Sequence, residues 1–91
     1  MIVINHYMEL EMDTREAVAN RIKQLCKEHG ITANALSYRA GVPQSTIKSI
    51  LNNETQNTGI VTIKKLCDGF DIPLSDFFND ETFRVLEQEI Q

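Results

Sequence analysis

Few side chains in this 91-residue chain could do covalent or metal chemistry. Its thiols are Cys26 and Cys67, and its imidazoles are His6 and His29. No Cys-x-x-Cys occurs and neither histidine stands at metal-ligand spacing from a cysteine, so no metal site is expected. Both cysteines fall on apolar helical stripes, which reads as two small hydrophobes in the core of a reduced protein. No Ser/His/Asp set, paired buried carboxylates or phosphate-cradling glycine loop is visible, so neither catalysis nor a cofactor is expected. The polar chemistry gathers on one short stretch instead. Gln44, Ser45, Lys48, Ser49 and Asn52 share the outer side of a helical run whose other side is Ile47, Ile50 and Leu51. These side chains put carboxamides, hydroxyls and one cation on a surface of about two helical turns.

The elements that position this face follow from sparse punctuation, four Gly and two Pro. Asp13 with Glu16 three residues on makes a capping-box pattern, followed by Val18, Ile22, Leu25 and Cys26 at helical spacing. Lys27 and His29 suit a helix C-terminus and Gly30 a left-handed stop, predicting a first helix over 14–29. Thr32 caps a second helix to Ala40, with Leu36, Ser37 and Ala40 inward and Gly41 ending it. Pro43 suits the first turn of the next helix, which runs to Asn52. A polar loop over 52–59 leads to a fourth helix with Ile60, Ile63, Leu66, Cys67 and Phe70 on one stripe. After Asp71-Ile72-Pro73, Leu74 to Phe78 reads as a short fifth helix or turn. Asn79 or Asp80 caps a last one, with Phe83, Leu86 and Ile90 at i, i+3 and i+7. The expected fold is all-α, with five or six short helices. The start of the chain departs from this: Ile2, Ile4, Met8, Leu10 and Met12 alternate with polar residues in the period-2 pattern of a strand. Two readings remain for residues 1–12: a loosely attached arm, with Met8 and Met12 as alternative starts, or a strand pairing with its mate in a dimer.

Two short helices joined by a Gly-centred turn, the second with a polar outer face, form the helix-turn-helix pattern. Ser37 supplies a small residue where the helices cross, Gly41 the left-handed turn, and Leu36, Val42, Ile47 and Ile50 the apolar contacts. The ordered set from Ile31 to Asn52 (ITANALSYRAGVPQSTIKSILN), with the stretches Thr62–Cys67 and Leu74–Phe78, resembles the Cro/lambda-repressor-like, Xre-type helix-turn-helix domain. The resemblance covers residues from about 14 to 78. It implies a compact five-helix DNA-binding domain over 13–78, flanked by the arm at 1–12 and a C-terminal helix within 79–91. It further implies that the second helix of the motif enters the major groove. Carried over, Gln44, Ser45, Lys48 and Ser49 become base-reading candidates, with Gln44 able to bond adenine N6 and N7 together. Asn34, Thr46, Asn52, Asn53, Thr62 and Lys64 become DNA-backbone candidates. The departures from the family pattern are Ala33, where a phosphate-contacting Gln is frequent, Gly59 in place of Pro, and Asp71 in place of a closing Gly.

A formal net charge of −4, taken whole, argues against a nucleic-acid partner. Split along the chain it does not. Residues 15–65 hold Arg15, Arg21, Lys23, Lys27, Arg39, Lys48, Lys64 and Lys65 against Glu16, Glu28 and Glu54, a net +5. Residues 1–14 contribute −3 and residues 66–91 contribute −6. A basic motif between acidic ends suits a DNA-facing surface with an anionic far side. No apolar run approaches the roughly 20 residues that span a bilayer and no signal peptide is recognisable, so a cytoplasmic protein is expected. The expected function is sequence-specific regulation of transcription, as a repressor and homodimer on double-stranded DNA. Helix 5, the Phe83/Leu86/Ile90 helix and the arm are the available dimer surfaces. The alternative is an antitoxin-type protein-binding module that also binds its own operator.

Overall fold

The computed structural model describes residues 12–55 and 57–90, so the arm or strand expected over residues 1–11 lies outside the described residues. Helix α1 (Thr14–His29) begins with the capping box that the sequence spells. Asp13 accepts from the Glu16 N–H at 2.9 Å while Glu16 reaches back toward the Asp13 N–H. It ends at Gly30, in the left-handed conformation at φ 64°, whose N–H returns to the Cys26 and Lys27 carbonyls. Helix α2 (Ala33–Ala40) is capped by the Thr32 hydroxyl, which accepts from the Ala35 N–H at 3.0 Å, and stops at Gly41, φ 67°. Helix α3 (Gln44–Leu51) starts after Pro43, which stands outside the helix as its N-cap rather than in the first turn; Asn52 likewise closes the helix rather than ending within it. Helix α4 spans Ile60–Phe70, α5 spans Leu74–Phe78 and α6 spans Glu81–Arg84. The described residues form no strand.

The apolar stripes meet in one core. Ile22, Leu36, Ile47, Leu66, Cys67, Phe70 and Phe77 are fully buried, with Val18, Leu25, Val42, Ile50 and Ile63 packed among them. Cys67 is inside this core and Cys26 half-buried against it, both as free thiols, and burial pushes both thiols above their ordinary pKa. Helix α2 packs most closely on α4 at Gly69, where a Cβ would stand 3.1 Å from Ala40 Cβ and from Leu36 Cδ1. Ser37 has a more specific task than filling a crossing: its hydroxyl donates to the Val42 carbonyl at 2.7 Å and closes the turn between α2 and α3.

Three further expectations change. Ile60, the first member of the α4 stripe, is 55% exposed, because the core-facing side of α4 begins at Ile63. The last helix is a single turn capped by Asp80 and ending at Arg84, so the Phe83/Leu86/Ile90 stripe is not on one helix. Phe83 packs on Phe77 and Phe78, Leu86 is half-buried and Ile90 is 86% exposed. Arg21, one of the basic residues that make the stretch 15–65 net positive, is buried. It donates to the Phe77 carbonyl at 2.7 Å and the Asp76 carbonyl at 2.8 Å, and faces Asp80 at 3.5 Å. A guanidinium can satisfy several diverging acceptors at once, and here it ties α1 to the end of α5 and the start of α6.

Candidate nucleic-acid interface

Helix α3 owes its orientation to Ile47 and Ile50, both buried, which press one side of the helix onto the core. Gln44, Ser45 and Lys48 are therefore left exposed on the opposite side. Together with Ala33, Asn34, Leu51 and Asn52 they line a groove of about 550 Å³ between the starts of α2 and α3. Within it the Gln44 carboxamide donates to Asn34 Oδ1, so the two side chains that open the motif's helices are tied together. One amide hydrogen and the carbonyl oxygen of Gln44 remain for a ligand, as does the Asn34 amide group.

The other candidates lie outside this groove. Ser49 and Thr46 are half-buried, with Thr46 about 200° round the helix from Gln44. Asn53 follows α3 in the left-handed region at φ 59°, its Oδ1 buried without a hydrogen-bond partner among the described residues. Thr62 is half-buried in the first turn of α4, whose N-cap, Gly59, contributes no side-chain hydrogen bond. The N–H groups of that turn are thus available to an anion, which a helix N-terminus favours. Lys64 is exposed but paired with Asp68 one turn on.

The basic balance of residues 15–65 shrinks once partners are assigned. Arg21 is committed to the α5 carbonyls, Arg15 lies 3.5 Å from Asp13, and Lys64 is held by Asp68. Among the described residues Lys23, Lys27, Arg39, Lys48 and Lys65 have no salt-bridge partner, and of these Lys48 lines the α2–α3 groove. Neither the Asn34–Gln44 contact nor the burial of Arg21 has a local sequence signal. The first needs the angle between two helices, and the second needs acceptors that lie more than fifty residues away along the chain. No group of three or more His, Cys, Asp or Glu among the described residues could hold a metal ion, and no helix there is long and apolar enough to cross a membrane.

Helix α3 packs on α1 and α2, with α2 braced by α4, and its presentation by its polar side defines a helix-turn-helix DNA-binding domain. The chain belongs to the Cro/C1-type HTH DNA-binding domain family, whose model matches residues 21–82. Among solved structures it is similar to an HTH_3 family transcriptional regulator from Vibrio cholerae, with a TM-score of 0.67 and 28% sequence identity. That match covers 75% of this chain and 38% of the regulator, so this chain spans well under half the regulator's length. No curated protein matches the chain significantly.

Proposed function

We propose that this domain is a sequence-specific transcriptional repressor of the cytoplasm that inserts α3 into the major groove and binds its operator as a homodimer. The observation that carries the reading is the shared groove of Asn34, Gln44, Ser45, Lys48 and Asn52. Gln44 reads adenine through its free amide hydrogen and carbonyl oxygen, Ser45 and Lys48 contact neighbouring base edges, and Ser49 reads the far end of the site. Asn34, Asn52, Asn53 and Thr46 bond phosphates along one strand, and Thr62 and Lys64 hold the backbone from the start of α4. Membership of a DNA-binding family and likeness to a transcriptional regulator support a regulatory role. One helix-turn-helix reads only a few base pairs, and a two-fold dimer doubles the site length.

In-vitro selection of bound duplexes tests this. A palindromic motif is expected, with half-sites one helical turn apart. Gln44→Ala should cost about 1–3 kcal/mol on the selected site and relax one position per half-site. Equal weakening on every sequence would remove the base-reading role. A second reading, an antitoxin-type module, is favoured by the exposed Ile60, Val61, Phe78 and Val85, apolar side chains outside the α2–α3 groove. Selection that returns no motif, with a co-purifying toxin-like partner, would favour it over the repressor.

A further inference from the structure

A second groove, of about 580 Å³, lies between the start of α1 and the loop that joins α3 to α4. Thr14, Asn57 and Thr58 line it with hydrogen-bond donors, Arg15 and Asp13 line it as a pair 3.5 Å apart, and Phe78 and Ile63 are among its apolar lining. Glu89, from the other end of the chain, also lines this groove, and its carboxylate accepts from the Thr14 hydroxyl at 2.5 Å. A carboxylate beside a hydroxyl and the first turn of a sixteen-residue helix is well placed electrostatically.

The segment that delivers Glu89 is weakly held. Residues 85–90 form no helix, Val85 and Ile90 are exposed, and Leu86 alone is half-buried. Lifting the segment therefore uncovers little apolar surface, which marks a low-energy local opening. The α3–α4 loop also connects the two grooves: Asn52 lines the one beside α3, and Asn57 and Thr58 line the one that holds Glu89. Duplex DNA laid along α3 and the start of α4 brings its phosphates to this loop and so toward Glu89.

We propose that residues 85–90 are a displaceable acidic strap: in the DNA-free domain Glu89, held by Thr14, stands at the groove beside the α3–α4 loop and its charge repels the phosphodiester backbone there, and duplex binding releases it. The inference rests on the α3 reading of DNA given above. Two substitutions in the full chain test it from opposite sides. Glu89→Gln removes the charge, while Thr14→Val keeps every charge and removes only the tether. Each should raise affinity for a duplex by roughly two- to fivefold at low salt, the range of one exposed charge contact, with the gain fading as salt screens it. Adding duplex to the unmodified chain should also shift the Thr14–Glu16 amide resonances toward their positions in free Thr14→Val. A gain in Glu89→Gln alone reduces the effect to bulk charge and overturns the strap, as do unchanged affinities in both variants, while α3 binding stands. Failure of all three proteins to bind any duplex overturns the strap and the α3 reading together.

Discussion

Removing the Arg21 guanidinium leaves the Phe77 carbonyl without a donor, the Asp76 carbonyl with only the Asn79 N–H at 3.2 Å, and the Asp80 carboxylate without its cation. Arg21→Met should therefore lower unfolding stability by about 3 kcal/mol, read from urea melts, because breaking one side of a buried charged network costs more than the network contributes net. Hydrogen bonds from the Thr82 side chain, with its backbone N–H and the nearby Arg21, hold the Asp80 carboxyl below its usual range. A depressed folded pKa means that the ionised form favours folding. That contribution is present above about pH 4 and is lost as the pH falls through the lowered folded value. Asp80→Asn should remove this part of the acid-side slope when stability is followed from pH 5 to pH 2. Asp71 stands at φ 60° where α4 ends, with a negative charge at the wrong end of the helix dipole. Asp71→Gly should relieve both and stabilise the domain by about 1 kcal/mol, visible as a higher thermal midpoint.

At the scale of elements, the approach of α2 to α4 sets how far α3 projects. Gly69→Ala puts a methyl 3.1 Å from Ala40 Cβ and 3.2 Å from the Ala40 backbone N, so a few tenths of an ångström must be yielded. The better helix propensity of Ala, about 1 kcal/mol, offsets that crowding, and the change should be nearly neutral. Gly69→Val has no such offset and should cost about 2 kcal/mol by chemical denaturation, with DNA affinity falling alongside as α2 is pushed away. The helices themselves are legible where local chemistry decides them: Asp13 with Glu16, Thr32, Gly30 and Gly41 announce the ends of α1 and α2 without any tertiary information. The polar face of α3 is legible for the same reason, since Ile47 and Ile50 leave only one side for Gln44, Ser45 and Lys48. Gly69 reads in sequence as an ordinary weak point in a helix, because nothing local says that Ala40 lies opposite. The end of α6 is illegible for an energetic reason. Phe83 finds Phe77 and Phe78 within one turn, while Leu86 and Ile90 have no comparable aromatic surface, and so short a helix does not continue without packing.

For the whole molecule, the balance that matters to DNA is the set of cations still free to meet phosphate, and the ion pairs of Arg15, Arg21 and Lys64 reduce it well below the count of basic residues. Binding should depend on salt through few released counterions per protomer. Lys48→Ala should reduce the slope of log affinity against log salt by about one, whereas Lys64→Ala, whose charge Asp68 already engages, should change it less. Titrations at three or more salt concentrations distinguish the two. The tie between Asn34 and Gln44 has a consequence for how such a protein acquires a new operator. With its rotamer biased before any duplex arrives, residue 44 is half of a two-letter word, and a replacement there frees its partner's carbonyl oxygen. Libraries that vary 34 and 44 jointly should yield respecified variants that single-site libraries at 44 miss, and related proteins that switch operators should be found to have changed both letters together.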